Sequence, residues 1–272
     1  MSTVTAAAPR ARLRWALSDA YVITRRDVQH WANQPVAFAV GLLFPVLMVL
    51  MFGYVFGGAM VVPGGGSYRE FLLPGLFALT MAFGLEVTMI SVATDAARGV
   101  TDRFRSLPMH PAAVVVGRSA ADMLNAALGL AVMLGCGLLV GWEPHRGALR
   151  ALAAVALLLL LRWALVWVGV YLGLLAKGPE SIVTVQILVW PVGFLSSTFV
   201  DPSTMPGWLG ALAEWNPLSA TVAACRELFG NPGFGGTSFA AEHAVELALA
   251  WPALLVAVFL PLSVARFRKL SS

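Results

Sequence analysis

The sequence predicts an all-α integral membrane protein with six transmembrane helices, and three observations carry that reading. Of its 272 residues, 59% are hydrophobic and only 12% charged, against a charged share of roughly 25% in soluble domains; the mean hydropathy is +0.80. The apolar residues gather into runs of about 20, the length a helix needs to cross a hydrocarbon core of about 30 Å. Short links rich in glycine, proline and charge separate those runs. No separate soluble domain fits between them, and the two cysteines, Cys136 and Cys225, lack paired spacings and read as packing residues.

Residues 1–34 are expected to form a cytoplasmic N-terminal segment. The first nine are small and polar and lack the apolar core and small-residue site of a cleaved leader. Between residues 10 and 31, Leu13, Leu17, Ala20, Tyr21, Val28 and Trp31 share one helical face, with Arg12, Arg14, Asp19, Arg25, Arg26 and His30 largely off it. That pattern fits an amphipathic helix lying in the membrane interface. Val22 and Ile23 fall on the wrong side, so a plain juxtamembrane linker stays open. A membrane domain over 35–267 follows, with spans at about 36–57, 71–94, 112–140, 151–175, 181–199 and 245–264, and 268–272 form a tail. The triple glycine of VPGGGS, after the first span, lacks the lysine and strand-to-helix setting of a phosphate-binding loop and reads as a connector. Glycine pairs at Gly53/Gly57, Gly137/Gly141 and Gly169/Gly173 have the small-xxx-small spacing that lets membrane helices pack closely.

Between the second and third spans lies GVTDRFRSLPMHPAAVVVGR, residues 99–118. If 100–107 is helical, Val100, Phe104 and Leu107 share a stripe while Asp102 and Arg105 point away and Arg103 sits at its edge; Pro108 stops the turn. Such a short helix can rest against the membrane face and offer its tip to another protein, and an ordinary basic loop is the equally open alternative. After the fifth span, VDPSTMPGWLGALAEWNPLSATVAACRELFGNPGFGG mixes breakers with large apolar residues, as two short helices broken at Asn216-Pro217 at a membrane edge would.

Six spans place both termini on one side. Of the 18 Lys and Arg residues, four (Arg69, Arg146, Arg150 and Arg226) fall in links on the opposite side and Arg162 lies inside a span; the other thirteen fall on the side of the termini and of 99–118. The positive-inside rule makes that side cytoplasmic. Three charges stand within spans, Glu86, Asp122 and Arg162, each costing roughly 2.5–3.5 kcal/mol at mid-span unless it faces protein or water. Glu86 and Arg162 sit near the middle of their spans and are expected to pair, with a polar patch on a substrate path as the alternative. Asp122 is expected near the headgroups, four residues from Arg118. The four histidines have no ligand spacing, there is no catalytic triad, no phosphate-binding loop G-x-x-x-x-G-K-[ST] occurs, and no nucleic-acid partner is expected.

The loop GVTDRFRSLPMHPAAVVVGRSAADM, the segment FVDPSTMPGWLGALAEWNPLSATVAACREL and the six-span plan resemble the ABC-2 type exporter permeases, in particular the daunorubicin-resistance permease group, over nearly the whole chain. The resemblance implies a permease subunit that is not itself an enzyme. Its 99–118 loop, through Asp102, Arg103, Phe104, Arg105, Leu107, Pro108 and Met109, would be the cytoplasmic coupling helix that docks on a separate ATPase. The segment holding Met205, Pro206, Trp208, Leu209, Asn216 and Pro217 would form extracellular re-entrant helices. It further implies two permease chains paired through spans one and five, two ATPase subunits carrying the ATP and Mg, no cofactor on this chain, a plasma-membrane location, and a lipophilic or amphiphilic cargo such as an antibiotic or lipid. A non-transporting anchor that recruits a cytoplasmic protein and a nucleotide-independent secondary transporter are the competing classes. The latter is disfavoured because no internal repeat is found.

Overall fold

In the computed structural model the described residues are 35–55, 67–97, 111–176, 178–234 and 238–269. The amphipathic segment at 10–31 and the loop residues Asp102, Arg103, Phe104, Arg105, Leu107, Pro108 and Met109 lie outside them. The described residues are helical, with no strand among them. Helix α1 spans Pro35–Leu50 and continues as a π turn, Met51–Val55. Then come α2 (Tyr68–Ala97), α3 (Pro111–Leu139), α4 (Ala148–Leu175), α5 (Pro179–Phe194), α6 (Gly207–Glu214), α7 (Pro217–Phe229), α8 (Phe239–Glu242) and α9 (Ala244–Lys269). A 3-10 turn, Pro202–Thr204, precedes α6.

Among the described residues four helices are long and apolar enough to cross a membrane: α2, α3, α4 and α9. Helix α2, at 30 residues, is about 45 Å long at 1.5 Å per residue, ample for a hydrocarbon core of about 30 Å. Helices α1 and α5 are apolar but shorter, at 16 residues each. The fifth apolar run ends as a helix at Phe194 rather than continuing to 199, because Pro191 removes one backbone donor near its end and the serine- and threonine-rich 196–198 turns away to hydrogen-bond elsewhere.

Helices α2 and α4 form the centre, with α9, α7 and α3 around them and α1 and α5 against α2. Lipid tails are as apolar as leucine, so burial gives little drive for helices to associate in a bilayer and close packing must supply it. Glycine provides that contact along the α2–α4 seam. A Cβ on Gly169 would lie 2.8 Å from the Leu85 carbonyl oxygen, and one on Gly173 2.7 Å from Val92 Cβ and 2.8 Å from the Met89 carbonyl. Gly137 on α3 approaches Leu73 and Phe77 in the same way.

One end of the bundle is knitted by side chains. Arg69, near the start of α2, donates to the Gly53 carbonyl at 3.1 Å and the Val140 carbonyl at 3.0 Å, and lies 4.6 Å from the Tyr54 ring centroid. Trp142 is buried in the α3–α4 link. Its ring meets Phe77 and Phe229 edge-on and its indole N–H donates to Asn231 Oδ1 at 2.8 Å. The positive φ of Gly141 and Gly147, 88° and 81°, brackets this link, a backbone region that costs glycine little.

Candidate functional site

Two polar constellations stand inside the bundle, and they face opposite ways. In the first, Thr88 of α2 donates its hydroxyl proton to Asp122 Oδ2 of α3 at 2.7 Å and accepts from Arg162 Nη2 of α4 at 2.8 Å. Arg162 Nη2 is 3.9 Å from the same carboxylate oxygen. Room for the guanidinium comes from Gly84, where a Cβ would lie 2.6 Å from Arg162 Nη1. The arrangement sets a buried guanidinium against a partly buried carboxylate, and it ties three helices with one hydroxyl.

This corrects one expectation. Arg162 pairs with Asp122 and Thr88, not with Glu86. On a helix, two residues are turned by about 200°, so with Thr88 aimed at α4, Glu86 must look away toward α5. Asp122 in turn faces Thr88 and Arg162; the Arg118 side chain, its expected neighbour, falls outside the described residues. What the sequence does not carry is the rotation of each helix about its axis, which decides these partners.

The second constellation is where Glu86 does point. Its Oε2 accepts from Gln186 Nε2 of α5 at 3.4 Å, while the buried Oε1 has no hydrogen-bond partner. Around it runs a chain of rings. Phe83, one turn before Glu86, stacks on Trp190 at 4.7 Å between centroids; Trp190 meets Phe44 of α1 at 6.0 Å and Phe194 at 5.9 Å; Phe194 stacks on Phe199 at 5.4 Å, and Phe199 reaches Phe52 at 5.1 Å. Phe44, Trp190 and Phe194 keep exposed ring surface. Gly193 permits the approach of α5 to α2, since its Cβ would sit 3.0 Å from Leu79 and 3.2 Å from Phe83.

The segment after α5 is held by two residues with different tasks. Asn216 caps α7, accepting from the Leu218 amide at 2.9 Å, and its Nδ2 donates to the Val192 and Leu195 carbonyls at 2.8 and 2.7 Å. It thereby satisfies carbonyls that the end of α5 leaves without helical partners, and Pro217 follows as the first helical residue, which needs no amide proton. The break at Asn216-Pro217 thus stands where the sequence placed it. Met205 and Leu209 are half-buried and Pro206 caps α6, while Trp208, Leu212 and Trp215 stand exposed along one face of α6 and its end.

Arg226 is the second fastening. It donates to the carbonyls of Phe71 at 2.9 Å, Ser197 at 2.8 Å and Thr198 at 3.0 Å, with its guanidinium carbon 3.9 Å from the Phe71 ring centroid. Only 2% of the residue is exposed. Its burial pushes the guanidinium below its ordinary range, to about 9, which still leaves it charged at neutral pH. Counted by sequence only as one of four basic residues on the side opposite the termini, Arg226 is a buried connector between α2, the 197–198 turn and α7. No local signal in CREL points to this, because the three carbonyls it binds lie on α2 and in the 197–198 turn, far away in sequence.

Residues 19–229 match the ABC-2 type transporter family. The chain is 34% identical over 270 residues, 98% of its length and 92% of the relative's, to a daunorubicin resistance ABC transporter permease protein, DrrB1, of Streptomyces coeruleorubidus. It belongs to the ABC-2 type transporter family. Two further relatives in Mycobacterium tuberculosis are a doxorubicin resistance ABC transporter permease protein, DrrB, 27% identical over 75% of this chain and 70% of its own, and a probable doxorubicin resistance permease protein, DrrC, 24% identical over 75% and 74%. This ABC-2 chain is accordingly a multi-pass membrane protein. The matched region includes both polar constellations and ends at Phe229, the last residue of α7.

Proposed function

We propose that this chain is the permease subunit of an ATP-driven exporter, moving a lipophilic or amphiphilic compound such as an antibiotic or a lipid out across the plasma membrane. The observation that carries this is the 34% identity over 98% of the chain to a permease named for daunorubicin resistance. The rest of the assembly belongs to the same reading. Six spans, counting α1 and α5, place both termini in the cytoplasm, and the α6–α7 pair dips into the outer membrane edge. A second permease chain, identical or paralogous, lies beside this one. Two copies of a separate ATPase bind beneath, carrying the ATP and Mg. Their force enters through the loop of Asp102, Arg103, Phe104, Arg105, Leu107 and Pro108, where Phe104 anchors in an apolar groove and the two arginines steer docking.

What supports this geometrically is economy: α3 starts directly after that loop, and Asp122 fastens α3 to α2 and α4. A push on the loop then moves the central helices together. The test is purification from native membranes followed by transport in inverted vesicles. An exporter brings down a chain bearing the phosphate-binding loop and shows vanadate-sensitive uptake of daunorubicin into the vesicle lumen. An anchor would show no transport, and a secondary transporter would move cargo without nucleotide. Phe104→Ala with Arg105→Ala should lower transport at least tenfold while the isolated ATPase keeps its basal turnover; unchanged transport would remove the loop from the coupling path.

A further inference from the structure

Helix α2 ends at Ala97 and α3 begins at Pro111, so these two helices are the arms that lead into and out of the 99–118 loop. They are cross-tied at different heights. Away from the loop, Arg69 of α2 donates to the Val140 carbonyl, just past the end of α3, at 3.0 Å, and Gly137 of α3 lies close against Leu73 and Phe77. Nearer the loop, Thr88 of α2 bonds Asp122 of α3 at 2.7 Å. At about 1.5 Å per residue, the stretch between these ties is about 28 Å long on α2 and about 27 Å on α3. Antiparallel helices with matching lengths between two cross-ties form a frame, and its sides cannot slide past each other while both ties hold. Beyond the Thr88 tie only about 14 Å of α2 and about 17 Å of α3 remain before the loop.

A threonine inside a helix can satisfy itself on the carbonyl four residues earlier, and Thr88 has that acceptor, the Gly84 carbonyl at 3.2 Å. Its shorter contact crosses to Asp122 instead, and the same oxygen accepts from Arg162 of α4 at 2.8 Å. Asp122 and Arg162 stand 3.9 Å apart, beyond hydrogen-bond length, so the hydroxyl between them gives each a bond of good length. Of the three helices, α3 has the least apolar hold: 22% of its membrane-crossing window is buried, against 56% for α2 and 44% for α4. Helix α4 is already seated on α2 through Gly169 and Gly173. Lipid tails compete with any apolar helix face, so a polar cross-tie can set the register of α3 where apolar surface cannot. Resting on the permease reading, we propose that Thr88 is a positioning residue for transport. Its hydroxyl is the rung that keeps α3 in register with α2 near the loop, so that force entering between the two arms moves α2, α3 and α4 as one frame instead of splaying the arms.

The test compares Thr88→Val, which keeps the shape and removes the hydroxyl, with Thr88→Ser, which keeps the hydroxyl and removes a methyl group. Valine leaves Asp122 and Arg162 facing each other, so the charges stay paired. In inverted vesicles holding the permease with its ATPase, vanadate-sensitive daunorubicin uptake and ATP hydrolysis are measured on the same preparation, and their ratio is the readout. Thr88→Val should lower that ratio at least fivefold with ATP turnover within about twofold of the parent, and Thr88→Ser should bring it back to within about twofold. Thr88→Ala carries the same expectation and replaces Thr88→Val if that chain is not recovered from membranes. An unchanged ratio on loss of the hydroxyl would overturn the inference. So would a serine variant no better than valine, which makes Thr88 a packing group, or uptake and ATP turnover falling together in step with the melting temperature, which makes the node a matter of stability alone. A parent assembly with no ATP-driven uptake would remove the exporter reading itself, whereas normal parent uptake with an unchanged ratio in Thr88→Val removes only the role of Thr88.

Discussion

Thr88 has one hydroxyl, and the fold uses both its proton and its lone pairs, one toward Asp122 and the other from Arg162. Removing one member of a buried charge pair strands the other, which costs about 3–5 kcal/mol. Asp122→Asn should therefore lower the thermal stability of the purified protein sharply, and Asp122→Asn combined with Arg162→Gln should recover much of the loss, as a melting series in detergent would show. Asn216 is a second case at this scale. Asn216→Ala forfeits a cap worth about 1 kcal/mol and two bonds to the end of α5, so the variant should unfold at lower temperature, with protease cleavage appearing first after Phe194. Cys225 is fully buried, and burial pushes its thiol up to about 12. Its thiolate, the reactive form, is absent well past pH 8, so maleimide at that pH should leave Cys225 unlabelled until the protein is denatured.

At the scale of elements, the α2–α4 seam decides how stiff the centre is. Gly169→Val and Gly173→Leu would drive side chains against the Leu85 and Met89 carbonyls, which cannot give way. Overpacking of this sort costs about 1–3 kcal/mol, and the melting temperature should fall in both. Gly135→Ala, where nothing lies within 4 Å of the added methyl, serves as the control and should melt like the parent. The glycine spacing Gly169/Gly173 was legible from sequence because close packing in lipid selects small residues four apart. The helix limits of α2, α3, α4 and α9 were legible to within a few residues, except the last turn of α9, since apolar length and flanking glycine or proline are linear properties. The end of α5 was not, because Asn216 and Arg226, more than twenty residues further on, capture the carbonyls where that helix stops.

For the whole molecule, a centre of α2 and α4 carries an inner charge node on one side and an acid with aromatic rings on the other, while α1 and α5 are lightly held and turn much apolar surface outward. Motion that separates α1 and α5 from α2 would open the Glu86 side and leave the Asp122–Arg162 node intact. Cross-linking cysteines placed at Phe83 and Trp190 should block vanadate-sensitive efflux reversibly on reduction, whereas undiminished transport in the cross-linked protein would show that this seam stays closed. The sequence by itself determined that the chain is helical, that it belongs in a bilayer, where its long helices run, and which family its loop motifs resemble, because those follow from the length of apolar runs, helix breakers and local residue order. Only the tertiary structure decided that Arg162 joins Asp122, that Glu86 faces Gln186 and the rings, and that Arg226 is buried. Partner choice depends on how each helix is rotated about its axis and on which distant backbone carbonyls it meets, and neither is written in the hydropathy of a segment.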